Sequence, residues 1–180
     1  CNGISRPHSF RTWEEWEKDM IGSEIPFQTN NILLENINQI RTELKKEKII
    51  RVIGHSGLGK TRMILETFRE NPSDYEIKAQ QSQLVYYDMG IGNLESITSY
   101  ILSHRNNQSG ILVIDNCDEN SHNTISGLVK SSDSFKLITI DFSSETNERS
   151  VIKIDRNNQR DIVQKIIDEK FGDTLTKTDK

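Results

Sequence analysis

The run Gly54-His55-Ser56-Gly57-Leu58-Gly59-Lys60-Thr61 limits what this chain can become more than any other segment. It matches G-x-x-x-x-G-K-[ST], a pattern that ordinary residue frequencies produce by chance in about one chain in a hundred of this length. An apolar run ending at Ile53 precedes it, and Met63, Ile64, Leu65 and Phe68 follow with helical spacing. A glycine-rich turn between a buried strand and a helix lets successive backbone N–H groups point inward at anionic oxygens. The start of the helix adds its positive dipole end. The occupant this suits is a polyphosphate. Gly54, His55, Ser56, Gly57, Leu58 and Gly59 form the cradle, Lys60 reaches the β- and γ-phosphates as a point charge, and the Thr61 hydroxyl completes the coordination of Mg2+. His55 reads as a variable loop position rather than a catalytic group.

Such a loop needs a carboxylate at the end of a neighbouring strand to hold the magnesium hydration shell. Ile111-Leu112-Val113-Ile114-Asp115 supplies it, four apolar residues and then an acid. The next position, where an acid would activate water, is Asn116, and an amide orients water without accepting its proton. Asp118 and Glu119 are the acids that would serve instead, though both also suit the amino end of a helix. Binding is therefore better supported than fast hydrolysis. Lys136-Leu137-Ile138-Thr139-Ile140-Asp141 should lie beside the Asp115 strand, with Thr139 as a hydroxyl near the γ-phosphate.

The rest of the pattern fits a parallel α/β sheet. Strands are expected at Ile49–Ile53, Leu84–Tyr87, Ile111–Ile114, Leu137–Ile140 and Val151–Ile154, with helices near 60–70, 94–104 and 120–130 between them. Asn71-Pro72 should end the first of these helices and Asn93 should cap the second. Right-handed crossovers then give a three-layer αβα sandwich on a five-stranded, mainly parallel sheet. Ahead of it, Thr12 and Glu15 form a capping-box pattern for a helix through Ile21, with Trp13, Trp16 and Met20 on one side. A second helix carries Leu33, Ile37, Ile40 and Leu44 on one face. The expected division is a helical flank at 1–48, the P-loop core at 49–155, a final helix or the start of a lid at 156–172, and a disordered tail at 173–180.

Composition narrows the class. With 23 basic against 27 acidic residues, the net charge of −4 builds in no bulk attraction to nucleic acid or an anionic membrane, so direct nucleic-acid binding is not expected. No apolar run approaches the roughly 18 to 20 residues that span a bilayer, which suits a cytoplasmic protein. Cys1 and Cys117 make neither a disulfide framework nor a zinc cluster. A start at Cys1 reads as a piece of a longer chain. The guanine signature Asn-Lys-x-Asp is missing, the nearest string being Thr176-Lys177-Thr178-Asp179, so adenine is the expected base. Ile25-Pro26-Phe27-Gln28 and the residues near Arg156 to Arg160 are candidates for its contacts.

Taken together, GHSGLGKTR, a strand ending LVYYD, then ILVIDNCDE, KLITID and VIKID before a helix resemble the ATPase module of the STAND class of P-loop NTPases, over about residues 25 to 170. GLGKTRMILE, with Arg62 directly after the loop threonine, resembles the bacterial STAND proteins of antiviral defence and signalling. Relatives often end the fourth strand in Thr-Thr-Arg or Thr-Ser-Arg, whose arginine senses the γ-phosphate; here it is Thr139-Ile140-Asp141. The resemblance implies an ATP/ADP- and Mg2+-binding switch with slow hydrolysis, flanked by effector, lid and sensor domains. It implies homo-oligomers on activation, the isolated fragment being a weakly active monomer. Two other readings stay open. Nucleotide or small-metabolite kinases share the loop, and Asp88 sits where their acceptor-binding carboxylate would be. A nucleotide-binding scaffold without turnover would suit Asn116 and Asp141.

Overall fold

The structure is a computed structural model, and it describes residues 9–21, 30–69, 75–106, 109–142 and 150–155. In chain order the elements are β1 (Phe10–Thr12), α1 (Trp13–Ile21), α2 (Asn31–Lys46), β2 (Ile49–Gly54), α3 (Lys60–Arg69), α4 (Tyr75–Ser82), β3 (Leu84–Asp88), α5 (Leu94–His104), β4 (Gly110–Asp115), α6 (Glu119–Lys130), β5 (Phe135–Asp141) and β6 (Val151–Ile154).

Local chemistry sets the helix starts. Thr12 and Glu15 close the expected capping box, the Thr12 N–H donating to Glu15 Oε2 at 2.9 Å and the Glu15 N–H to Thr12 Oγ1 at 3.4 Å. Asn30, Asn93 and Asp118 each accept a backbone N–H three residues on, all at 2.8 Å, and so cap α2, α5 and α6. Lys45 and Lys46 place positive charge in the last turn of α2, where its dipole favours it.

The strands form one sheet in the order β1-β3-β4-β5-β2-β6, parallel throughout except that β1 runs antiparallel to β3. Among the described residues it has six strands, not the expected five. The additional one is β1, whose three residues pair Phe10 with Tyr87 and Thr12 with Val85. Three residues are too few to show alternation in a sequence. The helix α4 was also not expected, and it has no periodic signal because it buries none of its residues. Asn71-Pro72, the final helix, the tail and the proposed base contacts lie outside the described residues.

Both faces of the sheet are covered, which is why β2, β4 and β5 read as near-continuous apolar runs. One cluster joins Trp16, Ile37, Ile40, Met63 and Phe68 of α1, α2 and α3 to Ile50, Val52, Val113 and Ile138 of the sheet. The other joins Ile97, Ile101, Ile125 and Val129 of α5 and α6 to Ile49, Leu112, Ile114 and Leu137. Each fully buried aliphatic side chain contributes about 1.5–3 kcal/mol relative to exposure. The result is a three-layer αβα sandwich. Because β2 to β6 are parallel, their carboxyl ends share one edge, and the loop after β2 opens there.

Candidate phosphate-binding site

The loop Gly54 to Gly59 leaves β2 and enters α3 at Lys60. Its shape needs glycine. A Cβ on Gly54 would stand 2.4 Å from the Ile154 carbonyl oxygen, so β6 could not pair so closely with any other residue there. Gly57 and Gly59 adopt φ of 80° and 72°, the left-handed region where side chains are strained. His55, Ser56 and Gly57 are exposed, and Leu58 packs back against the apolar cluster.

Lys60 is buried, and its ammonium donates to the carbonyls of Gly54 and His55, each at 2.8 Å. Burial pushes its pKa down, against the opposing pull of the Asp115 and Asp141 carboxylates. Thr61 donates its hydroxyl to Asp115 Oδ2 at 2.5 Å. The same oxygen accepts the Tyr86 hydroxyl at 3.1 Å, and Oδ1 accepts the Asn116 N–H at 2.8 Å. Burial, with Asp115 and Asp88 nearby, raises the Tyr86 pKa well above its ordinary value, so the phenol keeps its proton and remains a donor. Asp115 thus ends its strand buried, oriented and in direct contact with the loop threonine. The strand carrying it is not next to β2, because β5 lies between them; the contact is made by Thr61 on α3.

These groups open onto a cavity of about 390 Å³ lined by Ser56, Lys60, Thr61, Asp115, Asn116 and Asp141 among others. A hollow of about 460 Å³ at the opposite edge of the sheet is lined by Lys45, Lys46, Lys48 and Lys136. Three of those ammonium groups are engaged by the protein itself: Lys45 by Glu76, Lys48 by Ser132 and Asp133, and Lys136 by the Leu44 carbonyl. What sets the loop cavity apart from this hollow is that Lys60, Thr61 and Asp115 meet there beside the left-handed glycines Gly57 and Gly59. A hydroxyl and a carboxylate are hard oxygen donors suited to Mg2+, which takes only one or two protein ligands and fills the rest with water and phosphate. The donor set fits that ion.

No family model and no curated protein matches the sequence. Among solved structures, the Hsp104–ADP complex of S. cerevisiae superposes with a TM-score of 0.54 at 15% identity, covering 91% of this chain and 27% of that one. The chain has a P-loop NTPase-like fold. PCH-2 of C. elegans (TM-score 0.42, 12% identity, 69% of this chain and 40% of that one) and Trip13 of Rhizobiales (0.40, 14%, 71% and 50%) are also similar. This chain spans about a quarter of Hsp104 and at most half of the other two.

The remaining expected residues are placed as follows. Asp118 caps α6, with Oδ1 on the Ser121 N–H and Oδ2 accepting the Ser121 hydroxyl at 3.2 Å. Glu119 is exposed on the first turn of that helix. Arg62 lines the cavity but is tied to Glu66 at 2.8 Å and to the Met20 carbonyl at 2.9 Å, so it joins α3 to α1. Thr139 is fully buried and does not line the cavity; it pairs with Arg51 in the ladder, two residues short of the strand end. Three features were not expected: the Tyr86 hydroxyl on Asp115, a hydrogen bond of 2.9 Å from Asn116 Nδ2 to Asp88 Oδ1, and a buried Arg51–Asp141 ion pair at 2.9 Å. Only the last had a sequence signal. An arginine inside Ile49-Ile50-Arg51-Val52-Ile53 demands a counter-charge, and Asp88, Asp141 and Asp155 each end an apolar run that could supply one.

Proposed function

We propose that this chain is an ATP-binding switch module with slow Mg2+-dependent hydrolysis, part of a larger STAND-type signalling or defence protein of the cytoplasm that assembles into homo-oligomers in response to nucleotide. The observation that carries the nucleotide part is the meeting of Lys60, Thr61 and Asp115 in one cavity at the mouth of the glycine loop, with Thr61 and Asp115 in contact at 2.5 Å. In this reading the backbone from Gly54 to Thr61 cradles the phosphates and Lys60 leaves the carbonyls of Gly54 and His55 to meet them. Thr61 and Asp115 hold Mg2+, which would neutralise charge on the phosphates. Turnover is slow because Asn116, at the position after Asp115, has no proton-accepting atom. Asp118 has both carboxylate oxygens engaged as a cap, which leaves Glu119 as the freer of the two acids proposed to activate water.

The test is a thermal-shift titration with MgATP and MgADP. Ligand at 100 times its Kd should stabilise the fold by about 2.7 kcal/mol. Lys60→Ala should abolish the shift, and an unchanged shift in that variant would remove the phosphate-loop assignment. Excess GTP should displace labelled ATP poorly; equal displacement would leave the adenine preference without support.

A further inference from the structure

We infer that Tyr86 is a positioning residue for the cation site, its hydroxyl holding the Asp115 carboxylate in place for Mg2+, which rests on the cavity being the nucleotide site proposed above. The strand ladder brings the two residues together. Tyr86 of β3 pairs with Val113 of β4, and Asp115 follows Val113 by two residues, so alternation puts all three on the face covered by α1, α2 and α3. An aromatic side chain reaches such a diagonal neighbour. Here the Tyr86 hydroxyl meets Asp115 Oδ2 at 3.1 Å, and because a carboxylate only accepts, the phenol is the donor.

What the core packing uses is the ring. Tyr86 is buried, its ring stacks on Trp16 with centroids 4.6 Å and planes 14° apart, and Arg11 Cζ stands 5.5 Å from its centroid. Phenylalanine would fill the same space. A buried hydroxyl costs free energy unless it is hydrogen-bonded, and the acid that closes β4 supplies the partner. With the ring held by its neighbours, the hydroxyl is held as well.

Asp115 is left with little freedom. Oδ1 accepts the Asn116 N–H at 2.8 Å, while Oδ2 accepts the Thr61 hydroxyl at 2.5 Å and that of Tyr86. A carboxylate offers about four lone-pair sites, so about one remains for a cation or the water around it. These partners stand in different places. Thr61 and Asn116 line the cavity with Asp115, and Tyr86 does not. Thr61 is itself a proposed Mg2+ ligand, whereas Tyr86 acts only through the carboxylate. Partners of this kind orient a metal ligand, and losing one lowers metal affinity about tenfold or more.

The test is the Mg2+ dependence of ADP binding by the full chain, wild type against Tyr86→Phe. It is read by thermal shift during a MgCl2 titration at fixed ADP, and by calorimetry of ADP in EDTA. Phenylalanine keeps the ring on Trp16, so the variant retains its fold. The Mg2+ concentration giving half the shift should rise about tenfold, whereas ADP affinity in EDTA should be unaltered. In an Asp115→Asn background, Tyr86→Phe should add no further loss. An unmoved Mg2+ midpoint overturns the inference. So does an equal loss with and without Mg2+, which would give the hydroxyl a part in the fold alone, and so does a further loss in the Asp115→Asn background. A wild type that binds no ADP would overturn the nucleotide reading and this inference with it, and ADP binding indifferent to Mg2+ would remove the cation site. Mg2+-dependent binding in the wild type with Tyr86→Phe unmoved strikes only the role of Tyr86.

Discussion

On the face covered by α1, α2 and α3, the sheet presents Ile50, Val52, Val113, Ile138 and Ile140 to a largely apolar helix layer, and Trp16 lies flat on Tyr86 with ring centroids 4.6 Å apart. On the face covered by α5 and α6 the packing is also apolar, but a line of polar groups runs through it. Asp141 meets Arg51, Arg51 meets Thr139, Thr139 meets His122 at 2.8 Å, and His122 meets Ser126 at 3.2 Å. Arg51 Nε, within that line, has no hydrogen-bond partner. Apolar layers stabilise a sheet without deciding where a charge stands. A buried polar line costs desolvation, and what it provides here is a carboxylate held at one place on the edge of the cavity.

The largest effect that would test this difference is a single substitution on the polar face. Arg51→Met leaves Asp141 buried without its partner and should cost about 3–5 kcal/mol in urea unfolding, most of which Arg51→Met/Asp141→Leu should recover. If single and double variants unfold alike, the pair is not a coupled unit. On the apolar face, Ile40→Ala removes a fully buried side chain and should cost about 3 kcal/mol, and no charge removed elsewhere should restore it. Smaller is the loss of the α6 cap: Asp118→Ala should cost about 1 kcal/mol, and nucleotide affinity should be unaltered. A fall in affinity would move Asp118 from the helix cap into the site.

The smallest effect concerns Cys117, whose carbonyl accepts from Arg51 and whose thiol is pushed up to about 12, mainly by burial. The unfolded thiol ionises near 8.5 while the folded one holds its proton, so stability is full below that pH and declines as pH rises toward 12. At pH 9 the loss should be just under about 1 kcal/mol relative to pH 7. Cys117→Ala should lack this component, and an identical pH dependence in the two proteins would show the thiol to be less enclosed than its contacts imply.

The sequence made the carboxyl edge of the sheet easy to read. A glycine loop, a lysine, a threonine and an acid closing an apolar run are each required by phosphate chemistry, and they occupy fixed offsets from buried strands. Helix caps at Thr12, Asn93 and Asp118 were legible for a similar reason, since one side chain satisfies one backbone donor nearby. Strand order was not. Nothing local in Leu137 to Asp141 says that β5 separates β2 from β4, because that depends on which crossover passes over which strand. Tyr86 gave no sign of its hydrogen bond to Asp115, as a tyrosine in a strand is explained by packing alone. Short β1 and surface-lying α4 bury too little to leave a pattern.

The stack of Trp16 on Tyr86 has a mechanical meaning. Trp16 belongs to α1, Tyr86 donates its hydroxyl to Asp115, and Arg62 grips the last turn of the same helix through the Met20 carbonyl. A load applied along α1 therefore reaches the carboxylate through two contacts and the residue following the loop threonine through one. A displacement of α1 therefore bears on the carboxyl edge of the sheet, where Met20 of its last turn lines the same cavity as Asp115.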